Sequence, residues 1–406
     1  MATIVIAGAS LAGGRAAETL RAEGFDGRVV LVGEEPERPY ERPPLSKQYL
    51  AGHQPRERLF LRPAEYYAEQ QIELRLGRRV ELVRVAEQQV VLADGEAIAY
   101  DQLLIATGCT PRRLAVPGHD LERVCVLRSL ADADAIRAVL QPGARVVVVG
   151  FGFIGAEVAA TCRQVGASVT AIEPLAAPLA RVFDPALGQH LAAIHRVHGV
   201  QLRLGEGVSA LRGHRVVEEV VTTSGAVIPC DLVVVGIGVR PADEWLAGSG
   251  IARQDGILVD ETCRTNLPGI FAAGDVASWW SPSLSRYLRV EHFDHAQQHG
   301  VHAARAMLGH REAYDPLLFF WSDQYDLNIQ YLGLHQPGDR LVWRGNPPEP
   351  PWAVFFLREG RVAAALTVNL PREAGAARQL IRKGAVVPES ALQDPATDLR
   401  QLARSL

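Results

Sequence analysis

The sequence predicts an α/β protein: two parallel-sheet domains of the Rossmann-like kind followed by a smaller α+β unit. Three observations carry this prediction. Two glycine-rich turns, Gly8-Ala9-Ser10-Leu11-Ala12-Gly13 and Gly150-Phe151-Gly152-Phe153-Ile154-Gly155, stand about one domain apart, each between a β-branched run and a helical pattern. Two later apolar runs, over 100–108 and 230–238, end in small residues, as buried parallel strands do where a ligand must approach. After residue 316 the pattern changes to alternating strands and a hairpin signal.

Composition permits this architecture and narrows the function. The 406 residues suffice for two or three domains, and a net charge of −4 offers no general attraction to nucleic acid or an anionic membrane. The five cysteines (Cys109, Cys125, Cys162, Cys230 and Cys263) are scattered and form no CxxC pair, which argues against a disulfide scaffold or a zinc site. A strand pattern begins at residue 3 and no apolar run is long enough to span a bilayer, so the expectation is a soluble, cytoplasmic chain. Only two lysines, Lys47 and Lys383, stand against forty arginines. A lysine that survives such replacement suits a place where a compact ammonium is wanted, although chance survival explains it equally well.

The first unit reads as a strand over 3–7, a helix over 11–23 and a strand over 28–32 ending at Gly33-Glu34. Gly8 turns the chain, the helix start offers its amides and dipole to a pyrophosphate, and Gly13 lets helix and strand pack closely. Glu34 stands at the usual distance for gripping a ribose. Ser10 occupies the place where this fingerprint prefers glycine, so an ordinary tight turn remains an alternative.

The run 100–108, ending in Ala106-Thr107-Gly108, reads as the return strand of that unit. The second unit has all three glycines, a strand over 145–149, a helix over 153–165 and a strand over 168–172 leading to Glu173. An acid there accepts ribose 2′ and 3′ hydroxyls and repels a 2′-phosphate, which favours NADH over NADPH; Arg181 is the nearest residue able to blur that preference. Glu157 follows the last glycine by two positions, where stabilising the helix dipole is a sufficient structural reason for it. The run 230–238, with Gly236-Ile237-Gly238, repeats the return strand. The segment 265–275 ends in Gly274-Asp275, a carboxylate at the open end of a sheet.

Beyond residue 316, strands are predicted over 325–331, 339–344, 352–357 and 361–368, the last two joined at Arg358-Glu359-Gly360. A short amphipathic helix follows over 372–383, and the Pro-rich stretch 347–351 stiffens one connection. His292, His295, His299 and His302 recur at helical spacing, but one straight helix rarely closes a tetrahedral site, and no metal is assigned.

The order of two glycine fingerprints, an ATG turn and a terminal FAAGD resembles the glutathione-reductase-like flavoproteins. The strings Tyr40-Glu41-Arg42-Pro43-Pro44-Leu45-Ser46-Lys47, Arg289-Val290-Glu291-His292-Phe293-Asp294-His295-Ala296 and Phe320-Trp321-Ser322-Asp323-Gln324-Tyr325 resemble the FAD-dependent ferredoxin reductases of bacterial oxygenase systems. The likeness covers nearly the whole chain. It implies an FAD domain over 1–112 and 242–316, an NAD domain over 113–241 and a C-terminal interface domain over 317–406.

The resemblance also implies roles. FAD would be held by Gly8, Ser10, Ala12, Gly13 and Glu34, with Arg42, Val80, Ala106, Thr107, Gly108 and Arg128. Gly274 and Asp275 would meet its ribityl and pyrophosphate region, and Phe293 its ring. NAD would be held by Gly150, Gly152, Phe153, Ile154 and Gly155, with Glu157, Glu173, Gly236, Ile237 and Gly238. Lys47 and Glu157, the catalytic candidates, would pair beside the reactive face of the flavin, and Trp321 would lie on the electron path to the carrier. Phe293 departs from the tryptophan more common in its string, and Ser10 from glycine.

Disulfide reductases of the superfamily carry a redox cysteine in the region 39–50, which has none here. Electrons would therefore leave the flavin for an external one-electron carrier, a 2Fe-2S ferredoxin serving a haem-thiolate monooxygenase or a ring-hydroxylating dioxygenase. Arg372, Arg378, Arg382 and Lys383 offer a basic patch for an acidic ferredoxin, or simply a solvated helix face. A rubredoxin reductase, an NADH oxidase or peroxidase, and a flavin-based NADH-binding signalling protein remain alternatives. Oligomeric state stays open.

Overall fold

A computed structural model describes Met1–Leu406 apart from Arg181, so the expectation placed on that arginine lies outside the described residues. The chain forms two units. The first comprises Met1–Pro43, Pro55–Thr110 and Val239–Pro316; the second comprises Pro44–Gln54, Pro111–Gly238 and Leu317–Leu406.

The first unit is built on a five-stranded parallel sheet in the order Ile270–Ala272, Gln102–Ile105, Thr3–Ala7, Arg28–Val32, Ile72–Arg75. Its strands are almost continuously apolar because both faces are covered, as parallel sheets require. Helices Leu11–Ala22 and Phe293–Met307 pack on one another there, and Gly300 permits it: a Cβ on it would lie 2.2 Å from the Ala12 carbonyl oxygen. The central strand has neighbours leading away on both sides, and its carboxyl end delivers the first glycine turn, the position at which such sheets bind ligands.

The second unit repeats this arrangement. Its parallel sheet runs Gln201–Leu204, Ser168–Glu173, Arg145–Val149, Leu232–Val235, Val124–Val126, with the second glycine turn again after the central strand. The same unit contains a five-stranded antiparallel sheet in the order Phe319–Gln324, Leu327–Gly333, Arg361–Val368, Glu349–Arg358, Arg340–Asn346.

That antiparallel sheet is buried on both faces. Along Glu349–Arg358, Trp352, Val354 and Phe356 face one core with Leu187, Leu191 and Ile194 of helix Pro185–Val197, whereas Ala353, Phe355 and Leu357 face helices Pro371–Lys383 and Leu399–Ser405. The period of two expected of a strand thus separates two apolar cores rather than core from water.

Two local expectations are corrected. Tyr325 does not begin a strand: it is a turn residue at φ 58° joining Phe319–Gln324 to Leu327–Gly333, because a two-residue hairpin of this hand needs positive φ. His292 does not share the helix of the other histidines; it is the extended N-cap of Phe293–Met307. No helix among the described residues is long and apolar enough to cross a membrane.

Candidate functional site

Both glycine turns are built by backbone contact. A Cβ on Gly8 would lie 2.1 Å from the Ala106 carbonyl oxygen, and one on Gly13 would lie 1.9 Å from that of Gly8. In the second turn a Cβ on Gly150 would lie 2.4 Å from the Gly236 oxygen and one on Gly155 would lie 2.1 Å from the Gly150 oxygen. Each return strand thus brings a carbonyl directly under its turn, which leaves Gly8 and Gly150 no room for a side chain. Gly152 differs, since a Cβ there meets nothing within 4 Å. It leaves open space in front of the helix rather than permitting internal packing.

The helix starts match an anionic ligand. Ser10 and Gly152 are the N-caps, both extended, and neither helix has a side-chain cap on its first amides. Ser10 carries a hydroxyl suited to capping, yet it accepts no helix N–H, so these amides and the positive dipole end stay available to a pyrophosphate. Glu34 stands exposed after Arg28–Val32. Glu173 ends Ser168–Glu173 and is 8 % exposed; its oxygens accept the Phe151 and Leu175 amides at 2.8 and 3.0 Å, which aims the carboxylate beside the turn. The residues present therefore fit two dinucleotides.

Other candidate positions divide between the units. Gly274 and Asp275 form a short helical turn in the first unit, where a Cβ on Gly274 would meet the Ala12 methyl at 2.9 Å. The Gly274 amide donates to His299 Nδ1 at 3.2 Å. Phe293 opens the helix that supplies this histidine. Arg42 donates to Glu35 at 2.6 Å and to Tyr40 at 2.9 Å, Val80 is buried at a strand start, and Thr107 donates to the Ala242 carbonyl at 2.7 Å. Arg128, although assigned with these, belongs to the second unit, just before the capping box of Leu130–Arg137.

In the second unit, Phe153 is engaged edge-on with Phe320 and Phe183, whereas Ile154 is 47 % exposed. Gly236-Ile237-Gly238 follows Leu232–Val235, and the Gly236 amide closes on the Val149 carbonyl at 2.7 Å. Trp321 is half-buried with its ring stacked at 6.2 Å from Phe319.

The segment Pro44–Gln54 packs with the second unit, which brings together the two residues that stood out in the sequence. Lys47 Nζ lies 2.6 Å from Glu157 Oε2, with side-chain exposures of 10 % and 4 %. Ser46 Oγ donates to the same oxygen at 2.5 Å, and Ser322 Oγ donates to Oε1 at 2.7 Å. Thr161, one turn after Glu157, donates to the Ser46 carbonyl at 2.7 Å and pins the segment to the helix. A buried ion pair is tolerable only with such additional donors. Sequence reasoning assigned no role to Ser46, Thr161 or Ser322. Two of them lie in strings already singled out, but a hydroxyl carries no periodic signal.

All five cysteines are free; Cys125 is half-buried and the others are buried. Burial pushes the Cys162 and Cys230 thiols up to about 12 and raises Cys263 well above its ordinary value. These are structural thiols with little access to the reactive thiolate form. The histidines of Phe293–Met307 are also packed: His295 stacks on Trp279 at 4.5 Å and His299 on Tyr314 at 4.6 Å.

Two glycine-cradled dinucleotide sites, together with a buried lysine–glutamate pair, define a pyridine-nucleotide flavoprotein oxidoreductase. The chain belongs to the family described as pyridine nucleotide-disulphide oxidoreductase, whose model matches residues 2–300, with a reductase C-terminal domain over 319–403. It uses FAD and NAD(H), as that family does.

Among characterised relatives, it is 42% identical over 98% of both chains to the ferredoxin–NAD(+) reductase component of the anthranilate 1,2-dioxygenase system of Burkholderia cepacia. It is 36% identical to putidaredoxin reductase of Pseudomonas putida over 98% of this chain and 96% of that one. The crystal structure of the covalent putidaredoxin reductase–putidaredoxin complex superposes with a TM-score of 0.96 over 100% of this chain and 98% of that chain, at 36% identity.

Proposed function

We propose that this protein is a cytoplasmic NADH:ferredoxin oxidoreductase that passes electrons singly to a 2Fe-2S ferredoxin serving an oxygenase. The observation that carries the reading is the buried pair that Lys47, on the cysteine-free segment 44–54, makes with Glu157. The names of the relatives, a reductase component of a dioxygenase system and a putidaredoxin reductase, support it. FAD supplies the two-electron-to-one-electron conversion when bound.

The protein's own residues supply position and field. Gly8, Ser10, Ala12 and Gly13, with Glu34, Arg42, Val80, 106–108 and Gly274-Asp275, would hold FAD, with Phe293 beside its ring. Gly150, Gly152 and Gly155, with Phe153, Ile154 and 236–238, admit the pyrophosphate of NADH. Glu173 keeps lone pairs for the ribose hydroxyls and repels a 2′-phosphate, which sets NADH above NADPH. Lys47, held by Glu157, would supply a fixed positive charge able to stabilise an anionic reduced cofactor, and Glu157 would orient it. Trp321 lies on the electron exit. The functional domains are 1–112 with 242–316 for FAD, 113–241 for NAD and 317–406 for the carrier.

The decisive experiment is cytochrome c reduction with NADH, with and without an added 2Fe-2S ferredoxin. Turnover that depends on the ferredoxin is expected. Brisk NADH consumption with no carrier would make the protein an oxidase, and dependence on rubredoxin would change the partner.

A further inference from the structure

We propose that Ser322, Gln324 and His195 form a one-way hydrogen-bond relay that positions Glu157, and through it the Lys47 ammonium. The relay deepens the functional reading above and rests on it for the reaction that the pair serves. It lies wholly within the second unit and joins three separate elements. Glu157 is on helix Phe153–Val165, Ser322 and Gln324 alternate on one face of strand Phe319–Gln324, and His195 is in helix Pro185–Val197.

Every link is buried: Ser322 is 0 %, Gln324 3 % and His195 1 % exposed. Ser322 Oγ donates to Glu157 Oε1 at 2.7 Å, and Gln324 Nε2 donates to Ser322 Oγ at 3.0 Å. Gln324 Oε1 faces His195 Nε2 at 2.8 Å, and His195 Nδ1 faces the Tyr325 hydroxyl at 2.9 Å.

The carboxylate dictates the direction of the whole chain. An ionised carboxylate only accepts, so Ser322 commits its one proton to Glu157 and presents lone pairs to Gln324. Gln324 must then turn its NH2 toward Ser322 and its carbonyl toward His195. The imidazole proton is thereby assigned to Nε2, and the bare Nδ1 accepts from Tyr325. An amide in the middle cannot hand a proton on without turning over, so the chain holds Glu157 in place rather than conducting protons.

The outer end is anchored at some cost. Tyr325 occupies a left-handed turn position at φ 58°, unfavourable for a bulky residue, and is retained there by its hydroxyl bond to His195 and by stacking on His198 at 3.7 Å. His195 also meets Phe151 edge-on at 4.8 Å, and the Phe151 amide donates to Glu173. One buried imidazole therefore touches the turn whose Phe151 amide holds Glu173 and terminates the relay to Glu157. We assign His195, Gln324 and Ser322 as positioning residues.

The test uses the FAD-loaded full chain with 15N-labelled histidine, His195→Asn supplying the assignment in long-range 1H–15N spectra. The expected result is His195 as the Nε2–H tautomer in the wild type and a mixed tautomer in Ser322→Ala, where Gln324 is free to turn over.

Anaerobic stopped-flow gives a second readout. Ser322→Ala and Gln324→Leu should each slow flavin bleaching by NADH about fivefold, the value of one hydrogen bond, with FAD content unchanged. The double variant should be no slower than either single one, because the links act in series. His195→Leu should share the defect and His195→Gln, whose amide reaches the Nε2 position, should relieve it. An Nδ1–H tautomer in the wild type, or additive losses in the double variant, overturns the relay. A wild-type flavin that NADH does not bleach overturns the functional reading instead, and the tautomer measurement then decides the relay alone.

Discussion

Glu157 shows how much one side chain's meaning depends on its partners. Near a helix start, a glutamate is sufficiently explained by the dipole, but this one turns away from water and receives donors from Lys47, Ser46 and Ser322. Replacing Lys47 with Met leaves that carboxylate buried without its counter-charge, at a cost of about 3 kcal/mol of stability. Thermal unfolding of Lys47→Met should therefore start lower than that of the wild type. Its flavin bleaching by NADH should slow about tenfold or more while FAD stays bound; an unchanged rate removes the electrostatic role. Glu173→Gln tests the ribose acid in the same way. It should narrow the NADH-over-NADPH preference about tenfold in steady-state kcat/KM, and a preference left intact places the discrimination elsewhere.

Among the elements, the two glycine turns share one design but not one set of tolerances. Gly155 packs against the Gly150 carbonyl, so Gly155→Ala must push helix from strand, whereas Gly152 faces open space. Gly152→Ala is expected to keep the melting temperature of the wild type and to weaken NADH binding about tenfold by crowding the pyrophosphate. Gly155→Ala should lower the melting temperature as well. Calorimetric titration with a non-reducing NADH analogue, alongside a melting curve, separates the two. Equal melting losses would show that Gly152 is a packing residue after all. Ser10, at the matching place in the first turn, has a side chain and still leaves the helix amides uncapped, which shows why serine is compatible with that turn.

Across the whole molecule, buried histidines make stability depend on acid. Burial lowers His195 and His292 to about 4 and His299 to about 3, and it holds His295 well below its ordinary 6.5. Between about pH 6.5 and 4 the unfolded chain binds protons that the folded chain does not, so stability falls as pH falls, by about 1.4 kcal/mol per pH unit for each such group. The unfolding midpoint should drop markedly from pH 7.5 to 5.5, and His299→Asn, whose amide oxygen reaches the Nδ1 position, should flatten that drop while keeping an acceptor for the Gly274 amide. An unfolding midpoint indifferent to pH across that interval would mean the imidazoles can charge in place.

Legibility followed the range of the physics. The α/β class, the two parallel sheets, both glycine turns and the hairpin at Glu359-Gly360 were open to reading because they follow from local requirements: strand periodicity, backbone approach and positive φ. Tyr325 was misplaced because a tyrosine in a left-handed turn contradicts its own propensity and is held there by two histidines far along the chain. The grouping of Pro44–Gln54 with the second unit, and the shared core of Leu187, Leu191 and Trp352, likewise rest on contacts between distant segments. Two glycine-rich turns and the lack of a cysteine near Lys47 can be read along the chain. That Glu157 faces that lysine among the Ser46 and Ser322 hydroxyl donors emerges only on folding, because hydrogen bonds between buried side chains depend on distance in space and leave no period along the chain.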